Sequence, residues 1–237
     1  MSASKIEVFK AIPSGEIKGG LLLIHEIWGL VDHIRDVAGR FAEQGYLTYA
    51  PDILSKAGMT PKIGQELVEL SNDPDEEKRV TVQPLMREKA APAFDPEYAE
   101  WAVATLRGVV DELADQPGVD GRLAVLGFCF GGTYSFALAA ADDRIKAAVP
   151  FYGAPADLGA VSAIGCPVLA IYGDQDERLM TGLPDVEAAM KAAGVDFTAK
   201  VYPGAAHAFF NDAGPRYDEK AATDAWQLSL DFLRRSL

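Results

Sequence analysis

Cys129, Asp176 and His207 are residue types that together can carry out nucleophilic chemistry. Cys129 lies in RLAVLGFCFGGTYSFALAAA, where Gly127 and Gly131 flank it at G-x-C-x-G spacing. A thiol raised on a glycine turn can serve as a nucleophile, although a free cysteine is more often a small core filler. A nucleophile needs a base, and the chain has 3 histidines. His25 and His33 flank one strand-to-helix turn, whereas His207 sits in YPGAAHAFF, directly after the last apolar segment. The base needs an orienting acid. Asp174 and Asp176, in GDQDE, follow the preceding apolar segment; one of them reads as a solvated turn carboxylate, and Asp176 is taken as the acid.

These residues act together only if the elements of the chain bring them to one place. The segments LLLIH (21–25), LTYAPDI (47–53), LAVLGF (123–128), IKAAVPFYG (145–153), PVLAIYG (167–173) and FTAKVYP (197–203) read as strands. Several are continuous apolar runs, as strands buried on both faces of a parallel sheet require. Helical patterns lie between them: DHIRDVAGRFAEQ, EYAEWAVATLRGVVDELADQ, the segment after Cys129, PDVEAAMKAAG and the closing YDEKAATDAWQLSLDFLRRSL. The alternation predicts an α/β fold, a mostly parallel central sheet with helices on both faces. IEVFKAIP adds an antiparallel edge strand or hairpin half.

In this arrangement Cys129, Asp176 and His207 fall at the carboxyl end of the sheet. Their order along the chain is that of an α/β-hydrolase: nucleophile, acid, histidine. Strand, glycine turn and helix around Cys129 form the context of a nucleophile elbow. Glycines there remove Cβ atoms that would strike the neighbouring strand and helix. The Phe130 backbone N–H then points where an oxyanion develops, and the helix N-terminus favours the thiolate. Residues 55–95, with SNDPDEEKRV and several prolines, read as a loop and short-helix excursion of the kind that covers a site or is mobile.

Composition bounds the function. The chain has 237 residues, 49% of them hydrophobic, with no break in composition, so residues 1–237 read as a single domain. Thirty-five acids against 22 bases give a net charge of −13, which disfavours nucleic acid and anionic membrane surfaces as partners. No apolar run approaches the ~18 residues of a membrane span, and the first residues lack signal-peptide features, so a cytoplasmic location is expected. Both cysteines, Cys129 and Cys166, are expected to stay reduced. No metal-ligand spacing, G-x-G-x-x-G or P-loop occurs, so no metal and no cofactor is inferred.

HEIWG (25–29), IRDVAGRFAEQGY, YAPDI, GFCFGG, YGDQD and PGAAHAFF together resemble the dienelactone hydrolase (carboxymethylenebutenolidase) family, from about residue 5 to the C-terminus. The resemblance implies Cys129 as nucleophile, Asp176 as acid, His207 as base, and Glu26 as a carboxylate that holds the resting thiol and helps deprotonate it when substrate arrives. It also implies that the Ile27 N–H joins that of Phe130 in the oxyanion hole. Family members bind a substrate carboxylate with arginines. Arg216 is the candidate for one position, and Arg79 and Arg87 compete for the other. Trp28 either lines the pocket or packs. Two departures stand out: the long 55–95 stretch, and His25 where the family commonly has glutamine.

Elsewhere the expectations are structural. Cys166 is inert packing, Trp101, Trp226, Phe232 and Leu233 face the sheet, and Arg35 and Asp36 make local ion pairs. The functional expectation is hydrolysis of a lactone or ester, a small-molecule substrate, through a thioester on Cys129 by a monomer or small homo-oligomer. The alternatives are a general carboxylesterase or thioesterase with the same triad, and a thiol redox sensor without catalysis.

Overall fold

A run such as GGLLLI has no polar face to show to water, so it can form a strand only where both sides are covered. In the computed structural model, which describes residues 6–237, that run is β2 (Gly19–Ile24), and all its residues are buried. β3 (Tyr46–Pro51), β4 (Leu123–Phe128) and β6 (Val168–Gly173) are likewise buried throughout. β1 (Val8–Ala11), β5 (Ile145–Phe151) and β7 (Phe197–Tyr202) complete a seven-stranded sheet in the order β1-β3-β2-β4-β5-β6-β7. β1 pairs antiparallel with β3, and all other pairings are parallel. The mixed patterns of β1 and β7 match their edge positions. Leu21, Leu22 and Leu23 have no exposed surface, and truncating any one to alanine costs roughly 2–5 kcal/mol.

The helices are α1 (Asp32–Glu43), α2 (Pro61–Ser71), α3 (Glu76–Ala90), α4 (Pro96–Ala114), α5 (Phe130–Ala141), α6 (Glu177–Ala193) and α7 (Glu219–Ser236). α1 and α7 meet through Phe41 and Trp226, whose ring centroids are 4.4 Å apart. Leu233 is fully buried and Phe232 half-buried, whereas Trp101 lies half-buried against Tyr98 and under the Lys56 ammonium. Arg40 closes a local ion pair with Asp36, but Arg35 reaches Glu7, 28 positions away in sequence.

Residues 55–95 are more helical than the expected loop and short-helix excursion. They hold two helices of 11 and 15 residues, α2 and α3, with a short 3-10 turn on either side. Capping chemistry explains this. Thr60 accepts from the Ile63 N–H with Pro61 at the first helical position, and Asp75 accepts from the Glu77 N–H. Glu76 and Glu77 begin α3 and Arg87 and Lys89 end it, so the acids of DEEKRV match the helix dipole rather than mark a loop.

Candidate active site

β4 ends at Phe128, and Cys129 follows with φ +55°, a conformation that L-residues rarely adopt. Two close approaches enforce it. A Cβ on Gly127 would lie 2.2 Å from the Gly131 carbonyl oxygen, and one on Gly131 would lie 2.2 Å from the Ile24 oxygen. The Gly131 N–H donates to the His25 carbonyl at 3.1 Å and the Cys129 N–H to that of Phe151 at 3.0 Å, so the turn is tied to the ends of β2 and β5. Cys129 is half-exposed, and Cys166 is buried, its thiol pushed up to about 11 by that burial.

β6 and β7 deliver the other two residues. Asp176 caps α6, one oxygen accepting from the Leu179 N–H and the other facing His207 Nδ1 at 2.5 Å. Asp174 does a different job, accepting from the Gly204 N–H and the Gln175 side chain and so stapling the loop that leads to His207. Burial alone would lower the pKa of His207, but hydrogen bonds with Asp176 and Cys129 and their negative charges prevail, and the imidazole is pushed up to about 10. Burial likewise opposes ionisation of Asp176, yet its contacts with His207 hold the carboxyl below its ordinary value.

Glu26 is almost completely buried. Its Oε1 accepts from the Tyr152 hydroxyl at 3.2 Å and its Oε2 from the Asn211 amide at 2.7 Å. Neither partner was among the residues singled out in the sequence. Tyr152 lies at the centre of the FYG run, just past β5 and beside the strand that leads to Cys129, at φ +36° and with its ring centroid 5.0 Å from that of His207. Asn211 lies four residues after His207. The signal for both was position alone, at a strand end or in a loop already carrying a candidate. Among the described residues, neither the Ile27 nor the Phe130 N–H has a hydrogen-bond partner, which leaves both free to receive an oxyanion.

His25 and His33 take structural places. The Ile53 N–H donates to His25 Nε2, which leaves Nδ1 to donate to the Glu26 carbonyl, and burial lowers the pKa of this ring. The histidine that replaces glutamine thus fixes the backbone of the Glu26 loop. His33 contacts Asp212 through Nδ1 at 3.1 Å.

A cavity of about 390 Å³ opens above these groups. Glu26, Cys129, His207 and Asn211 form its floor, Ile27 and Trp28 one side, and α2 and α3 a wall through Val68, Val82, Gln83 and Met86. Trp28 is therefore a lining residue. Arg216 and Arg79 both reach the cavity, and Arg87 is not among its lining residues. Arg79 already donates to the Asp73 and Pro74 carbonyls, whereas Arg216 makes one long contact, 3.4 Å, to the His207 carbonyl. α2 presses directly on the Glu26 loop: a Cβ on Gly64 would lie 1.8 Å from the Trp28 carbonyl oxygen. Among the described residues no group of three or more His, Cys, Asp or Glu is placed to hold a metal ion, and no helix is long and apolar enough to cross a membrane.

Comparison with known proteins places this geometry in context. The model of the dienelactone hydrolase family matches residues 6–237. A Saccharolobus solfataricus protein named for carboxymethylenebutenolidase is 33% identical, over 98% of this chain and 95% of its own length. A Salmonella typhimurium protein of the same name is 30% identical, over 90% of this chain and 75% of its own. Among solved structures, a Klebsiella pneumoniae chain named for dienelactone hydrolase superposes with a TM-score of 0.76 at 26% identity, covering 97% of this chain and 99% of that one.

Proposed function

The chain belongs to the dienelactone hydrolase family and is a hydrolase of esters or lactones, and from that premise we propose that it works through a covalent thioester on Cys129. The observation that carries this reading is His207, hydrogen-bonded through Nδ1 to Asp176 and lining the same cavity as Cys129, whose thiol stands on a strained elbow and helps to raise the imidazole's pKa. The thiol proton resides on His207 as Sγ attacks the acyl carbon, and the raised pKa of the imidazole favours this imidazolium–thiolate pair. The resulting oxyanion is received by the Ile27 and Phe130 N–H groups, and the C–O bond breaks as His207 returns the proton to the leaving oxygen. In a lactone that oxygen stays tethered to the acyl group. Water then attacks the thioester with His207 as base, releasing the acid and restoring the thiol.

Asp176 keeps the imidazole in the right tautomer. Glu26 places a negative charge near Cys129 and opposes its ionisation until substrate arrives. Arg216, with Arg79 across the cavity, favours a substrate that carries its own carboxylate. One sheet and one continuous apolar core support reading the chain as a single domain.

Alkylation with iodoacetamide tests the nucleophile. Cys129 is expected to react first, with hydrolysis lost in step, because burial holds Cys166 protonated and out of reach. Label mapped to Cys166 alone, with activity lost, would overturn the assignment.

A further inference from the structure

A carboxylate buried in the floor of a reactive cavity needs donors, and the kind of donor decides how much of its charge its neighbours feel. A cation would cancel the charge. The two donors to Glu26 are neutral: the Tyr152 hydroxyl and the Asn211 amide. We propose that Asn211, assisted by Tyr152, is the positioning residue that fixes the Glu26 carboxylate beside Cys129 while leaving its charge uncancelled. The proposal rests on the reading of Glu26 as the group that tunes the thiol.

The amide orientation is determined by two contacts. Asn211 Nδ2 donates to Glu26 at 2.7 Å, and Asn211 Oδ1 accepts from the Ala213 N–H at 3.0 Å, so a flipped amide would lose both. The next residue, Asp212, is held by His33 at 3.1 Å and by Arg40 at 2.5 Å, which anchors the loop to α1. Tyr152 approaches from the end of β5 at a strained φ of +36°. Titratable and charged groups face Glu26 from every side of the cavity: Cys129 at the elbow, His207 with Asp176 behind it, Tyr152, and Arg79 and Arg216 at the rim. Arg216 is bonded to the His207 carbonyl and not to Glu26, so a substrate anion that engages Arg216 does not strip Glu26 of a partner. Substrate charge should therefore act on KM, and the hold on Glu26 on kcat.

Asn211→Asp is the informative variant. It keeps the acceptor for the Ala213 N–H, and with it the loop, but replaces the donor to Glu26 with a second carboxylate. Two carboxylates at hydrogen-bond distance share a proton, which raises the pKa of one of them. The pH profile of Cys129 alkylation by iodoacetamide should then gain an ionisation that the native protein lacks. kcat on a neutral ester should fall by about tenfold or more, as expected for loss of a hydrogen bond to a charged group, with KM within about twofold. In Glu26→Gln/Asn211→Asp the amide and the carboxylate exchange places, so the extra ionisation should vanish and kcat should rise above that of Asn211→Asp.

An Asn211→Asp profile that superimposes on the native one, or a double variant no better than Asn211→Asp, overturns the proposal. Failure of the underlying reading is distinct: Glu26→Gln alone would then leave the alkylation rate at neutral pH unchanged, whatever the Asn211→Asp profile shows.

Discussion

Glu26, Asp176 and Asn211 are each at most 9% exposed, and each makes two hydrogen bonds through its side chain. Across the same cavity, α3 buries only Val82 and Ala90 of its 15 residues. One side of the cavity is built on the ends of buried parallel strands and held by bonds that cross between elements. The other is a capped, highly charged helix with little apolar anchorage. Reacting atoms must be held to fractions of an ångström, and only the first side has the contacts for that. A wall that sorts substrates tolerates a looser hold.

The comparison breaks most visibly at Asp176. Asp176→Asn should lower kcat by about ten-thousandfold, the scale for loss of the orienting acid, while Asp174→Asn should change it by less than about tenfold. Asp174 staples a loop and does not touch His207. Comparable losses in the two variants, measured as kcat on one ester, would mean that the strand-end side is not organised as described.

The wall should respond differently. Arg216→Ala is expected to raise KM for an acidic lactone by about tenfold, the worth of a charge-assisted hydrogen bond at the exposed rim, and to leave KM for a neutral ester within about twofold. The check is the ratio of kcat/KM for the two substrates in the native protein and in the variant. A parallel loss on both would move Arg216 from substrate selection to support of the His207 loop, whose carbonyl it contacts.

Smallest is the effect on stability. The folded-state pKa of His207, about 10, lies above its ordinary value near 6.5. Its contribution to stability is thus fully present below pH 6.5 and disappears as pH rises through about 10. For Asp176, held below its ordinary value, the contribution is present in neutral solution and lost in acid. Relative to His207→Gln, the native protein should be more stable at pH 6 than at pH 10.5 by a few degrees in Tm. Thermal melts of both proteins at the two pH values measure it, and an unchanged difference would contradict the ion-pair account.

The same two regions differ in how far the sequence revealed them. Strands such as LLLI and LAVLGF announce themselves because burial on both faces leaves no room for polar residues, and the elbow because only glycine fits beside it. α2 and α3 are longer than the short helices that the pattern of residues 55–95 suggests. α2 has only a short apolar stripe, Ile63, Leu67 and Leu70, behind its Thr60 cap, whereas α3 rests on its Asp75 cap and end charges, and Pro84 inside it reads as a breaker in a linear pattern. Position along the chain separated His207 from the other two histidines. Asn211 and Tyr152 escaped for another reason: a neutral amide or hydroxyl carries no chemistry of its own until a buried carboxylate is set against it, and that contact spans 185 residues for Asn211 and 126 for Tyr152.

The central claim is that the covalent intermediate forms on Cys129. Mixing the protein with an activated ester whose acyl group is bulky enough to slow hydrolysis of the thioester, quenching in acid within one turnover, and digesting for mass spectrometry tests it directly. The account predicts one acyl mass increment, carried by the peptide that contains Gly127–Gly131, formed in His207-competent protein and discharged by water on longer incubation. An increment on any other residue, or turnover with no acylated peptide at any time, would contradict it.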